Sequence, residues 1–162
     1  MSDDARLPVA AAVVVLVESA GRFLLTEEDP GGVAGPVWYF PSGALEPDES
    51  LAGAARREVR EETGYEVEPI DVMAIDHGEF QGWPGLFWWR LAISARLVSD
   101  SRQPVGEPEI LSVRWCYPDE LARLPLRSLD AIELCERLRS GHGLPLDACR
   151  LAEDGRLEGF FD

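Results

Sequence analysis

The segment from Gly43 to Tyr65 constrains the fold of this chain more than any other part of it. It reads GALEPDESLAGAARREVREETGY and places Glu58, Glu61 and Glu62 within little more than one turn of a predicted helix. Side chains three and four residues apart share a helix face. At pH 7 the three carboxylates repel one another unless a metal ion or arginines offset their charge. The segment therefore predicts a divalent-metal site on a helix.

The phase of this helix predicts where the carboxylates point. Its apolar positions are Leu51, Ala54 and Ala55. At about 100° per residue, Glu58 and Glu62 lie close to the same direction, towards the core. A carboxylate cluster on the inward side must be paired or must bind a metal ion. Oxygen ligands favour Mg²⁺ or Mn²⁺, and the lack of His and Cys in the segment argues against structural zinc.

The spacing of these residues resembles the signature of the Nudix (MutT-like) hydrolases, G-x5-E-x7-R-E-U-x-E-E-x-G-U, in which U is a bulky aliphatic residue. The pattern is filled in register by Gly43, Glu49, Arg57, Glu58, Val59, Glu61, Glu62 and Gly64. Tyr65 departs from it, because it is aromatic where an aliphatic residue is usual. The resemblance covers roughly residues 9–138. It implies an α/β (α+β) fold, a three-layer α/β/α sandwich with a mixed β-sheet.

The resemblance also implies roles for the residues of the signature. The expected metal ligands are the backbone carbonyl of Ser42 and the carboxylates of Glu58, Glu61 and Glu62. Glu49 matches the family residue that pairs with the signature arginine, here Arg57, and braces the loop against the helix. Arg57 and Glu61 are also four residues apart, so the arginine could orient a metal-binding carboxylate.

In this family a further acidic ligand or general base often comes from a loop well after the signature. Glu107 and Glu109 are the candidates here, since they directly precede a predicted strand. A solvated acidic loop is the alternative for both residues. Glu79 is a third candidate.

Candidate substrate contacts lie in two aromatic stretches. Trp88 and Trp89 are consecutive in a predicted strand and must face opposite sides, so one of them could line the cleft and stack on a nucleobase. Burial on both sides of a sandwich is the alternative. Trp38 and Tyr39 are similar to a WY-x-P-x-G-x-x-E-P stretch found in a subset of the family, several members of which act on oxidised nucleotides. Tyr39 is accordingly a candidate contact.

Composition excludes several other classes of function. The net charge of −15 argues against a nucleic-acid face, because binding a polyanion needs a basic surface. The chain contains no Lys, which excludes a P-loop and a Schiff-base mechanism. Its three Cys are widely spaced, so neither a disulfide framework nor a zinc knuckle is indicated. No apolar run approaches the roughly 18 residues that span a bilayer. Without a targeting segment, we expect a cytoplasmic protein.

Length and patterning predict one domain with an extension. The chain has 162 residues, of which 46% are apolar, enough for a single core. Strands are predicted over residues 9–18, 22–26, 37–40, 65–75, 86–98 and 111–117. Helices are predicted over residues 50–63, 119–123 and 126–139. Residues 1–142 would form the domain. Residues 143–162 would be an extension whose apolar side chains dock on the domain or on a partner subunit, or a loosely ordered end.

The function that the resemblance implies is Mg²⁺-dependent hydrolysis of a nucleoside diphosphate linked to a moiety X, with Mn²⁺ as a possible substitute. A metal-activated water would attack one phosphorus of the diphosphate, as in a nucleotide pyrophosphatase. The alternative is a nucleotide-sensing module of the same fold without turnover. A diphosphate isomerase is a further reading that the cysteine spacing does not support. A homodimer is also possible, since dimers are common in the family, and the identity of X stays open.

Overall fold

The computed structural model describes residues 9–29, 31, 35–79, 85–105 and 107–146. The elements in chain order are β1 (Val9–Ser19), β2 (Arg22–Glu28), β3 (Val37–Tyr39), β4 (Ser42–Ala44), α1 (Leu51–Thr63), β5 (Val67–Glu79), β6 (Phe87–Leu97), β7 (Ile110–Cys116), α2 (Pro118–Leu121), α3 (Asp130–Ser140) and β8 (Leu144–Pro145). Within the described residues the eight strands form one mixed sheet.

Two short strands, β3 and β4, separate β1 from β2 in the middle of the sheet. Along the path β3-β2-β1-β6-β5-β8, β1 and β2 pair only beside their hairpin, at Glu18 with Phe23 and at Ser19 with Arg22. Beyond these pairs, β3 hydrogen-bonds to β2, and β4 hydrogen-bonds to β1. The other edge of β1 pairs with β6 in parallel, and β7 pairs antiparallel with β2. Strands β3 and β4 therefore enter between β1 and β2.

Alternation along β1 separates the core into two halves. Val13, Val15 and Val17 pack with α1 on one face of the sheet. Val14 and Leu16 belong to the cluster on the other face, which contains the buried residues of α2 and α3. Since successive strand residues point to opposite faces, one run of aliphatic side chains supplies both halves. The predicted α/β (α+β) sandwich with a mixed sheet is confirmed.

Helix α1 begins and ends at the residues that its sequence suggests. The side chain of Ser50 caps the helix by accepting a hydrogen bond from the Gly53 N–H at 3.0 Å, a contact worth about 1 kcal/mol. Gly64 ends it in the left-handed conformation at φ 74°. A Cβ at Gly64 would also collide with the carbonyl of Gln103. The register of the signature helix is thus fixed at both ends.

The prediction of a helix over residues 126–139 was wrong in its first turn. The Trp38 N–H donates to the Pro125 carbonyl at 2.8 Å, and the Arg127 N–H donates to the Trp38 carbonyl at 3.0 Å. Leu126 forms a parallel bridge with Trp38. These residues extend alongside β3, so α3 begins only at Asp130. The leucine spacing is typical of a helix, and it carries no information about this pairing with β3.

Strands β4 and β8 were not predicted, because each is too short to leave a pattern. Strand β8 pairs antiparallel with β5 at Asp71 and Val72. Leu146 packs against the cluster on the α1 face. Residues 147–162 lie outside the described part of the chain, so the division at residues 142 and 143 stays a prediction. None of the helices described is long and apolar enough to cross a membrane.

Candidate active site

Helix α1 presents its three signature glutamates at different depths. Glu58 is buried at 8% exposure, Glu62 is half-buried, and the Glu61 side chain is 40% exposed. Strand β4 crosses the helix at Gly43, where an added Cβ would collide with the Glu58 carboxylate. The signature glycine therefore makes room for a buried carboxylate.

Arg57 stands at the centre of the signature. Its Nε and Nη2 donate to the two carboxylate oxygens of Glu49 at 3.0 and 2.9 Å. Its Nη1 donates to Glu58 at 2.6 Å and to Glu61 at 3.4 Å, and its Nη2 also donates to the Ala44 carbonyl at 2.9 Å. Hydrogen bonding to Glu49 raises the pKa of Arg57 above its ordinary value. One arginine thus braces the loop before α1 and orients two of the candidate ligands.

The carboxylates are only partly neutralised by this arginine. Burial raises the pKa of Glu62 to about 8, and the charges of Glu58 and Glu28 add to the effect. Burial also raises the pKa of Glu58, although Arg57 opposes it. The Ser42 N–H donates to Glu62 at 3.2 Å. Negative charge exceeds its local compensation here, which is the condition that a bound cation relieves.

Six glutamates from three parts of the chain meet at one cavity of about 240 Å³. Its lining consists of Glu28, Ser42, Glu58, Glu61, Glu62, Glu107, Glu109 and Ile110. The structure therefore places Glu107 and Glu109 beside the signature glutamates. Their role as ligand or base stays a prediction. The side chain of Glu79 lies outside the described part of the chain.

Sequence reasoning missed Glu28 at this cavity. The residue lies at the end of β2, two residues beyond the predicted end of that strand at 26. Alternation puts Glu28 and Thr26 on the same face as Leu24, which packs in the α1 half of the core. The alternation along β2 therefore indicates the direction of Glu28, provided that the strand is taken to continue to residue 28.

The donor set fits a hard divalent cation. All the candidate side-chain ligands are carboxylates, which suit Mg²⁺ or Mn²⁺. Within the described residues, no three acidic, His or Cys side chains already stand in an arrangement that could hold an ion. In this structure Glu58 and Glu61 accept hydrogen bonds from Arg57, and Glu62 accepts one from the backbone N–H of Ser42. Ion binding would require these carboxylates, which already line the cavity, to converge on one point within it.

A substrate contact by Tyr39 stays a prediction, and in this structure the side chain contacts other residues of the chain. Its side chain is fully buried, and its hydroxyl donates to Asp130 at 3.0 Å. Arg90 donates to that hydroxyl at 3.0 Å and also pairs with Asp130. Burial raises the pKa of Tyr39. The ring instead supports the guanidinium of Arg127, whose Cζ lies 4.3 Å from the ring centre.

The two consecutive tryptophans face opposite sides of the sheet, as predicted. Trp89 is exposed and packs against His77 in a tilted arrangement, with 5.1 Å between ring centres. Trp88 is half-buried and shares a face with Ala92, which belongs to the α3 half of the core. The described residues that line the carboxylate cavity do not include Trp88 or Trp89. Stacking of either ring on a nucleobase stays a prediction.

Comparisons with known proteins agree with this geometry. A family model described as a NUDIX domain matches residues 6–135. The chain is similar to CTP pyrophosphohydrolase of Escherichia coli (strain K12), with 30% identity over 118 residues that cover 73% of this chain and 83% of the relative. It is also similar to 8-oxo-dGDP phosphatase NUDT18 of Homo sapiens, with 30% identity over 128 residues that cover 76% of this chain and 36% of the relative.

The match to the NUDT18 proteins is partial, since the chain spans 29% to 36% of their length in mouse, human and zebrafish. The solved structure of a NUDIX hydrolase from Nitrosomonas europaea superposes with a TM-score of 0.80 and 29% identity, covering 92% of this chain and 99% of that one. Because the family model spans most of the chain and the three signature glutamates of α1 share one cavity, this chain belongs to the NUDIX domain family.

Proposed function

We propose that the chain is a divalent-metal-dependent hydrolase that cleaves the diphosphate linkage of a nucleoside diphosphate derivative. The observation that carries the proposal is the cavity in which Glu58, Glu61 and Glu62 meet Glu28, Glu107 and Glu109. Relatives are named for reactions on nucleotides, such as CTP pyrophosphohydrolase and 8-oxo-dGDP phosphatase. These names support a small nucleotide as the substrate class.

The metal would be held by the Ser42 carbonyl and by the carboxylates of Glu58, Glu61 and Glu62. A bound Mg²⁺ or Mn²⁺ supplies Lewis acidity, which neutralises phosphate oxygens and lowers the pKa of water. Arg57 keeps Glu58 and Glu61 on the cavity side of α1. Glu49 fixes Arg57 in turn, so the loop before the helix takes part in positioning the ligands.

The proton of the attacking water would pass to a carboxylate of the cavity. Glu58 is one candidate, but one of its oxygens accepts a 2.6 Å hydrogen bond from Arg57. Glu107 and Glu109 are exposed and have no ion pair with another described residue. A general base needs a free oxygen within reach of the water, which favours the later glutamates.

Activity of matched variants tests the proposal. CTP, 8-oxo-dGDP and ADP-ribose would be incubated with the protein and Mg²⁺, and products identified by mass. We expect the wild type to hydrolyse at least one of them, and Glu61→Gln and Glu62→Gln to lose about a hundredfold or more in turnover while remaining folded. Glu133→Gln, on the exposed side of α3, is the control. Mg²⁺-dependent turnover retained in both signature variants would contradict the assignment of Glu61 and Glu62 as metal ligands.

A nucleotide-sensing module without turnover is the alternative function, and the intact set of signature glutamates disfavours it. A sensor would bind nucleotides in the same assay and release no product. A homodimer and a cytoplasmic location are further proposals that rest on the sequence. Sedimentation of the purified protein measures the first, and localisation of the tagged chain measures the second.

A further inference from the structure

Arg127 joins the wall of the carboxylate cavity to the core beneath it. Its Nη1 donates to the two carboxylate oxygens of Glu28 at 2.9 and 3.2 Å, and its Nη2 donates to the Ser42 hydroxyl at 2.8 Å. Glu28 and Ser42 both line the cavity. The charge of Arg127 also lowers the pKa of Glu62, against the larger effect of burial. A cation therefore stands directly beside the acidic cavity.

The position of this guanidinium is fixed from below. Its Cζ lies 4.3 Å from the centre of the Tyr39 ring, and the ring is held by hydrogen bonds of its hydroxyl with Asp130 and Arg90. The Arg127 N–H is bonded to the Trp38 carbonyl at 3.0 Å, which anchors the backbone. An arginine that is already ordered loses little conformational entropy when it binds a ligand. The guanidinium of Arg127 is thus already ordered before an anion binds.

Arg127 differs from the other arginine at the cavity. Arg57 is 18% exposed, and its donors are committed to three glutamates and a carbonyl. The Arg127 side chain is 38% exposed, and its recorded partners are one carboxylate and one neutral hydroxyl. A guanidinium carries five N–H donors in a planar fork that matches phosphate oxygens. Of the two arginines, Arg127 is therefore the one with N–H donors available to bind an incoming phosphate.

We propose that Arg127 binds the diphosphate group of the substrate at the rim of the cavity and gives up part of its pairing with Glu28 to do so. The inference rests on the proposed function, since it takes the substrate to be a diphosphate. A cavity lined by six glutamates repels a diphosphate, and a cation beside the metal site offsets part of that repulsion. Arg127 would then contribute to substrate binding, while Arg57 positions the metal ligands.

Binding of a diphosphate that cannot be hydrolysed tests the inference. Methylenediphosphonate would be titrated by calorimetry into the Mn²⁺-saturated protein. We expect Arg127→Gln to weaken its binding by about ten- to a hundredfold, and Arg127→Lys to recover only part of the loss, because lysine keeps the charge and lacks the fork. Arg137→Gln, which removes an exposed ion pair with Glu133 on α3, is the control and should bind as the wild type does.

Two further measurements exclude a merely structural role. Mn²⁺ affinity without the diphosphonate, measured by electron paramagnetic resonance, should not fall in Arg127→Gln, because Arg127 is not a ligand and removing a nearby positive charge favours a bound cation. The thermal unfolding midpoint should show that the variant is folded. Unchanged diphosphonate binding in Arg127→Gln would overturn the proposal. So would a loss of Mn²⁺ affinity as large as the loss of diphosphonate affinity.

Glu28 provides an opposing variant. If Arg127 is released to meet the phosphate, Glu28→Gln removes both a competitor and a negative charge, so binding should become about two- to fivefold tighter. If the ion pair itself holds the cavity in shape, both variants weaken binding, and the proposal is overturned. Because this readout is binding, a protein that binds the diphosphonate through Arg127 and hydrolyses no nucleotide would refute the proposed function and leave the inference standing.

Discussion

Arg57 and Glu49 are joined by two parallel hydrogen bonds, from Nε and Nη2 of the arginine to the two carboxylate oxygens of the glutamate. Their side chains are 18% and 17% exposed. Hydrogen bonding to Arg57 is the main reason that the pKa of Glu49 is lowered. Since the partners are eight residues apart, the pair fastens the loop before α1 to the second turn of the helix.

Removing this pair should cost stability. We expect Glu49→Gln to lower the free energy of unfolding by about 1–3 kcal/mol, because it weakens a charge-assisted, largely buried contact. Urea unfolding measures the change. Glu68→Gln is the matched control, since it removes an exposed ion pair with Arg56 that should contribute less than about 1 kcal/mol. Equal losses in the two variants would contradict the special role of Glu49.

Gly43→Ala should damage the metal site more than the fold. The added Cβ collides with the Glu58 carboxylate, which must then leave its place beside Arg57. We expect Mn²⁺ affinity to fall by about tenfold or more, with only a small change in the unfolding midpoint. Gly78→Ala, where a Cβ meets nothing within 4 Å, is the control. Normal Mn²⁺ binding in Gly43→Ala would show that Glu58 has room to move without consequence.

The stability of the metal-free protein should fall as pH rises towards 8. The pKa of Glu62 is raised from 4.5 to about 8 in the fold, so the folded state retains a proton that the unfolded chain releases above about pH 4.5. Stability from this group is therefore complete below that pH and is lost through pH 8. In EDTA, the free energy of unfolding of Glu62→Gln, measured with urea, should lack this loss, which is about 1.4 kcal/mol for each pH unit between the two pKa values. The same dependence of the unfolding free energy on pH in the wild type and in Glu62→Gln would contradict this prediction.

The thiols of Cys116 and Cys135 should be unreactive in the folded protein. Both side chains are buried, and burial raises the pKa of Cys116 and raises that of Cys135 to about 12. The thiolate is the reactive form, so little of it exists at pH 8. In a Cys149→Ser background, Ellman's reagent should detect two thiols only after denaturant is added. Rapid labelling of the native protein would refute the burial of one of them.

The helix and the inward direction of two of its glutamates could be predicted because both follow from local spacing. Caps at Ser50 and Gly64 and the phase of Glu58 and Glu62 depend only on neighbours in sequence. Glu28 could not be placed in the same way, since its position at the cavity depends on how β2 crosses the sheet.

Long-range pairing accounts for what the sequence left hidden. The segment around Leu126 is extended because it bonds to Trp38, nearly ninety positions earlier, and that pairing places Arg127 over Tyr39. No periodicity within residues 126–139 carries this information. The burial of Tyr39, and so its contact with the guanidinium of Arg127, follows only from the packing of the α3 face.

Strands β3 and β4 enter between β1 and β2, and the cavity beside them is lined by parts of the chain with separate origins. The signature helix supplies Glu58, Glu61 and Glu62, while the rim at Glu28 and its ion-pair partner Arg127 is set by the strand connections. A change of length between β2 and β3, or between α2 and α3, would shift that rim and leave every residue of the signature in place. Two chains with identical signatures can therefore evolve different substrate preferences without altering the signature helix.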